Sequence, residues 1–207
     1  MVDADVAGGL VQRWFGGWTD EEPLEEGDPC MALWWGKSEA VDQELRERFG
    51  AAHLEEAADL DAPDLFDDPV RAVARVLLLD QIPRNIYRGT GHMFATDGLA
   101  RQTTARLVGN EAFYGSLAPI HRYFVLMPWM HGEDVASHRQ ATEAFGVLAA
   151  DARGTVRAHV YEMALEYERK HRVIVERFGR YPHRNRLLGR ESTAEELAFL
   201  EQPGSSF

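Results

Sequence analysis

Between Gly154 and Gly179 seven residues, Val156, Val160, Met163, Tyr167, His171, Ile174 and Phe178, recur at spacings of four, three, four, four, three and four. That rhythm follows the 3.6-residue turn and marks one continuous stripe along a helix. It constrains the rest of the chain too. No β-branched alternating run of the kind a half-buried strand requires appears anywhere, and glycine and proline cut the sequence into segments of helical length. The expectation is an all-α protein of about eight helices packed as antiparallel hairpins, a single domain over residues 1–207.

The boundaries follow from caps. A first short helix ends near "RWFGGW", where Gly16 and Gly17 suit a C-terminal cap, and the acidic loop "TDEEPLEEGDPC" follows. Ser38 opens a helix reaching about Ala58. Asp68 and Pro69 open another that runs to Pro83. "FATDGLARQTTARLVG" begins a helix at Thr96 or Asp97. "SLAPIHRYFVLM", broken by Pro128, and "GEDVASHRQATEAFGVLAADA" supply two more. Either Ser192 with Glu195 or Thr193 with Glu196 makes a capping box for the last helix. No convincing 34-residue repeat is present.

Composition narrows the function. Apolar residues make up 45% of the chain, enough for a core. The longest apolar run, "YFVLMPWM", is far too short to cross a bilayer. The acidic start "MVDADVAGGL" has no signal-peptide pattern, and Cys30 stands alone, so a cytoplasmic location is expected, without a disulfide or a cysteine-built metal site. The formal net charge is −12, yet between Arg169 and Arg190 eight Lys/Arg face only Glu176. That segment carries +7 and leaves −19 for the remainder, which argues against nucleic acid and anionic membranes as partners. The basic segment itself reads either as a helix paired with acidic neighbours or as an anion site.

Four stretches hold candidate chemistry. In "LLLDQIPRNIYRGT", Pro83 frees a helix carbonyl among Asp80, Gln81, Arg84 and Asn85. The plain reading is a capped helix end; the functional one is a kinked polar pocket in which Arg84 and Arg88 hold an anion. In "MPWMHGEDVASH", Glu133 and Asp134 suit the first turn of a helix, or form an acid–base pair with His131. His131, Asp134 and His138 share a helical spacing that suits metal, but the helix is expected to begin after His131, so no metal site is assigned. Glu168 and His171 form half of a carboxylate di-iron motif with no second copy; His171 points inward on the stripe and needs a hydrogen-bond partner. "ERFGRYPHRNRLLGRES" is either a hydrogen-bonded helix connection or a ligand loop, with His183 for proton transfer and Asn185 for orientation. No phosphate loop, dinucleotide fingerprint, nucleophile elbow or zincin motif occurs, and no cofactor is implied.

Together "LLLDQIPRNIYRGTGHMFATDGLA", "MPWMHGEDVASH", "KHRVIVERFGRYPHRNRLLGRESTAEELAFL" and the ending "PGSSF" resemble the bacterial family called domain of unknown function 924. The likeness runs from "RWFG" to the last residue. It implies an all-helical, tetratricopeptide-like fold and no established activity. The family's polar motifs fall on Asp80, Gln81, Pro83, Arg84, Asn85, Arg88 and Gly89, on Thr96 and Asp97, on His131, Glu133 and Asp134, and on His171, His183, Arg184, Asn185 and Arg190. This chain has Gly132 where serine is usual, Met130 where glutamate is usual, and Ile82 and Tyr181 where phenylalanine is usual.

The resemblance raises the site reading over the plain one. Residues 80–88, 131–134 and 171–190 are expected to meet in one concave pocket, within about two helix diameters, or roughly 20 Å. Its ligand-binding set would be Asp80, Gln81, Arg84, Asn85, Arg88, His171, Arg184, Asn185 and Arg190. Its acid–base set would be His131, Glu133, Asp134 and His183. The expected partner is a small anionic molecule or an acidic peptide. The alternatives are an enzyme, a hydrolase or lyase acting on an anionic metabolite, and a purely structural polar network.

Overall fold

A computed structural model describes residues 1–205, so the last two residues of "PGSSF" lie outside the described part. Every regular element among the described residues is helical, and there are ten α-helices rather than eight. They are α1 (Ala4–Phe15), α2 (Pro29–Trp35), α3 (Glu39–Ala58), α4 (the contiguous segments Pro69–Val76, Leu77–Gln81 and Ile82–Ile86), α5 (Asp97–Gly109), α6 (Glu111–Ser116), α7 (Pro119–Met130), α8 (Val135–Asp151), α9 (Ala158–Phe178) and α10 (Ala194–Leu200). The two additional helices are α2 and α6. Asp28 caps α2 with Pro29 at its first position, and Asn110 ends α5 and caps α6 at once. No helix among the described residues is long and apolar enough to cross a membrane.

The expected caps form. Ser38 accepts from the Val41 N–H, Asp68 from the Val70 N–H at 2.8 Å, and the box at the last helix is Thr193 with Glu196. Gly179, at φ +69°, ends α9 in the left-handed conformation that favours glycine.

Helix α4 lies at the centre. It packs on α1, α3, α5 and α7, and residues 72–83 are all buried. A helix covered on every side must be apolar or must pair its polar groups internally. Residues 72–79 are apolar except Arg75, which bonds Glu56 and the Asp59 carbonyl from α3 and the residue after it. Helices α7, α8 and α9 then pack in succession. The main apolar core runs from Val2 to Ala164. A smaller cluster gathers Ile174, Val175 and Tyr181 with Val135, Phe178 and Phe199.

Two expectations about helix ends need correction. Pro83 does not end its helix, because α4 opens into a π-turn over Leu77–Gln81, with the Ile82 N–H reaching the Leu77 carbonyl, and resumes through Ile86. Pro128 likewise sits inside α7. The inward face of α9 also differs from the apolar stripe. Val160, Tyr161, Ala164, Glu168, His171, Ile174 and Val175 are buried, whereas Val156, Met163 and Tyr167 are exposed.

Candidate functional site

The π-turn of α4 exposes main-chain acceptors that an unbroken helix would use, and side chains from three directions take them. His53 Nδ1 donates to the Leu78 carbonyl at 2.8 Å, the Thr96 hydroxyl to Leu79 at 2.6 Å, and Arg84 to the Asp80 carbonyl. Leu79 lies four residues before Pro83, so its carbonyl is the one that proline cannot serve. Thr96, which precedes α5, therefore does not cap that helix with its side chain.

Asp80 is fully buried at this turn. His131 Nδ1 lies 2.8 Å and 3.0 Å from its two oxygens, Gln81 Nε2 donates at 2.5 Å, and Arg84 stands at 3.3 Å. Burial alone would raise the carboxyl, but Arg84, His131 and Gln81 outweigh it and hold Asp80 at about 2. Because an ionised Asp80 only accepts, His131 carries its proton on Nδ1. Burial, reinforced by Arg84, pushes the His131 pKa down, so the ring is neutral at pH 7 with its lone pair on Nε2. Nε2 makes no hydrogen bond among the described residues, and the side chain is 13% exposed.

Arg84 also reaches Asp97, at 3.0 Å and 3.2 Å, and Arg184 reaches the same carboxylate at 3.2 Å. The Arg184 guanidinium lies 4.5 Å from the ring centres of both Phe94 and Tyr181. Phe94 stands on the short 3-10 turn Gly91–Phe94, whose approach needs a glycine: a Cβ at Gly91 would lie 2.7 Å from the Leu187 carbonyl. Arg184 is buried, and its Nε has no hydrogen-bond partner among the described residues. Burial and the nearby charge of Arg84 lower its pKa, yet a guanidinium stays charged.

Glu133 meets Arg190 in a two-pronged pair at 2.6 Å and 2.9 Å and accepts the Tyr181 N–H at 2.9 Å. These bonds outweigh burial and lower the Glu133 carboxyl. Arg190 Nε also donates to Asn185 Oδ1, while Asn185 Nδ2 turns to Ser192 and Glu196. Behind them His138 Nε2 lies 2.9 Å from the Gly132 carbonyl and 3.1 Å from Tyr181 Oη, whose own proton goes to the Met130 carbonyl at 2.6 Å. Nε2 is therefore the donor there. His138 Nδ1 faces Glu168 Oε1 at 3.0 Å, so one proton is shared by this fully buried pair, and burial pushes the Glu168 carboxyl up.

The three expected segments thus meet through direct contacts, Asp80 with His131, Glu133 with Arg190, and Arg84 with Arg184 through Asp97. Not every candidate joins them. Asn85 and Arg88 point the other way, to Asp42 of α3, at 2.9 Å and 2.6 Å. Asp134 caps α8 through Ser137, at 2.7 Å and 2.8 Å. His171 Nδ1 donates to the Tyr167 carbonyl, and the rings of His171 and His183 lie 5.7 Å and 5.5 Å from that of Tyr181. Burial lowers both, His171 to about 3 and His183 to about 4. The residue that joins the two arginines, Asp97, stood among the motifs but outside the expected ligand set. Its signal was an acid at the start of a helix, which also suits the helix dipole. Among the described residues no cluster of three or more His, Cys, Asp or Glu is arranged to hold a metal ion.

Gly132 fits this packing. A Cβ there would lie 2.9 Å from Ser137 Cβ and 3.1 Å from the Trp129 carbonyl, so the space a serine would need is filled.

No curated protein matches the chain. A solved protein of unknown function from Agrobacterium tumefaciens is similar to it at 34% identity and a TM-score of 0.75, over 96% of this chain and 98% of that one. The fold, the joined polar motifs and a match from residue 10 to residue 204 to the family described as "Bacterial protein of unknown function (DUF924)" agree, and the chain belongs to that family.

Proposed function

We propose that the protein is a helical binding module for a small anionic ligand, a carboxylate or phosphate group free or on an acidic peptide, held at Arg84, Arg184 and Arg190. One observation carries the reading. Two guanidiniums share the Asp97 carboxylate, and Arg184, buried between two rings, keeps an Nε donor that nothing among the described residues accepts. A buried unpaired donor costs about 1–3 kcal/mol, which a ligand oxygen would recover. The reading takes the helices as tetratricopeptide-like hairpins, supported by the successive packing of α7, α8 and α9, and places the protein in the cytoplasm. The test is thermal unfolding against inorganic phosphate, pyrophosphate, acetate, citrate and an acidic peptide. A ligand at a hundred times its Kd adds about 2.7 kcal/mol, or about 5–10 °C at this chain length. That shift should vanish in Arg184→Gln. No shift with any anion would leave the polar cluster as structure alone.

A second reading makes the same site catalytic, and one feature favours it. Asp80 holds His131 with Nε2 unprotonated and unbonded near Arg84, the arrangement of a general base next to an anionic substrate. His131→Gln should then keep binding of any anion the wild type turns over while losing the turnover. Equal turnover by the variant would end this reading.

A further inference from the structure

Outside that cluster, the acidic loop before α2 lines a half-open cavity of about 480 Å³, within the usual range for small-molecule sites. Its lining includes Glu22, Glu25, Glu26 and Asp28 and one cation, Arg157, at the start of α9. Arg157 is only 4% exposed. Its guanidinium lies 4.1 Å from the ring centre of Trp18, Nε donates to the Glu22 carbonyl at 2.8 Å, and NH2 stands 3.8 Å from Asp28. NH1 donates to nothing among the described residues.

Those facts select a ligand by elimination. A simple anion would complete NH1 but would have to pass four carboxylates. A simple cation would suit the carboxylates but would face Arg157 and leave NH1 unpaired. A molecule carrying both charges satisfies both ends, and two positive groups suit four carboxylates better than one. The positive end of α9 behind Arg157 adds to the preference for a carboxylate there.

We propose that this cavity binds a dibasic α-amino acid, its carboxylate on Arg157 NH1 and its ammonium groups among Glu22, Glu25, Glu26 and Asp28. The site is independent of the anion cluster, and either can hold without the other.

Calorimetric titration of the full chain tests this with L-lysine, L-arginine, cadaverine, which lacks the carboxylate, and acetate, which lacks the amines. L-lysine or L-arginine should bind saturably at millimolar concentration, with cadaverine and acetate about tenfold weaker or worse, a difference of about 1.4 kcal/mol. Arg157→Gln should weaken the amino acid about tenfold and leave cadaverine binding as tight as before or tighter, since it removes a like charge. Because Arg157 also braces the loop, the exposed-rim variant Glu25→Gln/Glu26→Gln supplies a second reading that does not depend on that brace: L-lysine should weaken, while the thermal midpoint stays. Cadaverine binding as tightly as L-lysine would reduce the site to an acidic surface. No saturable binding of either amino acid to the wild type would overturn it.

Discussion

Asp97→Asn removes the charge that two arginines share, and the structure sets the size of the effect. Arg84 keeps Asp80, at 3.3 Å, but Arg184 has no other carboxylate within 4 Å among the described residues. The side chains of Asp97 and Arg184 are 10% and 7% exposed, so water replaces little of the lost interaction. Breaking a buried pair by removing one partner costs about 3–5 kcal/mol. The two ring contacts at 4.5 Å remain in the variant and soften the loss. The expectation is therefore the lower end, about 3 kcal/mol, read as a fall in urea midpoint at unchanged slope and as about 6–12 °C in Tm. Glu195→Gln is the control. Its partner Arg177 is half exposed, and that change should cost under about 1 kcal/mol. The variant also tests the anion reading, because two guanidiniums without their carboxylate should gain more from added phosphate than the wild type does. A loss below about 1 kcal/mol, with no added response to phosphate, would refute Asp97 as the counter-charge of this cluster.

Three further outcomes follow from the same contacts. Thr96→Val keeps the shape but leaves the Leu79 carbonyl bare beneath Pro83, and should cost about 1–3 kcal/mol in urea unfolding; an unchanged midpoint would mean another donor takes that carbonyl. His171 and His183 titrate at about 3 and about 4 when folded, below the ordinary 6.5, so the unfolded chain binds more protons between those values. Stability is then full above about pH 6.5 and falls as pH drops, by about 1.4 kcal/mol per pH unit for each histidine, and Asp80, held at about 2, adds its own loss below about pH 4; equal urea midpoints at pH 7.5 and pH 5 would contradict this. Gly132→Ala should overpack against Ser137 and the Trp129 carbonyl and cost about 1–3 kcal/mol, measured by thermal unfolding, and a neutral result would show that these neighbours give way freely.

What could be read in the sequence was local. Ser38, Asp68 with Pro69, and Thr193 with Glu196 announce helices within four residues of chain, and all three caps form. Asp28 with Pro29 carries the same signal as Asp68 with Pro69, but it sits in an acidic run and reads as loop. Pro83 reads as a break because the groups that let α4 continue lie elsewhere in sequence, Thr96 among them, while Pro128 sits inside α7 all the same. The periodicity of α9 failed for the same reason. Glu168 occupies an inward position, which its partners His138 and Thr142, 30 and 26 residues earlier, make tolerable, while apolar Met163 and Tyr167 are left outside. Asp97 looks like an ordinary first-turn acid until Arg84 and Arg184, 13 and 87 residues away, are placed against it.

The basic segment shows how far the charge pattern alone could mislead. Of its eight cations, Arg169, Arg172, Arg177, Arg180, Arg184 and Arg190 each meet a carboxylate within 4 Å. The first three pairs are surface contacts worth little, and because Glu176 is already counted in the +7 they offset only two of its charges. The pairs at Arg184, which is buried, and at Arg190, which is about a quarter exposed, do something else. They spend Asp97 and Glu133 on Arg184 and Arg190 and leave the cluster close to neutral, with direction rather than net charge as its resource. Any affinity for an anion at this place therefore comes from fixed donors, Arg184 Nε first, in a site that salt screens poorly. An anion drawn only by the +7 of the segment would be lost as ionic strength rises, whereas one held by Arg184 would stay.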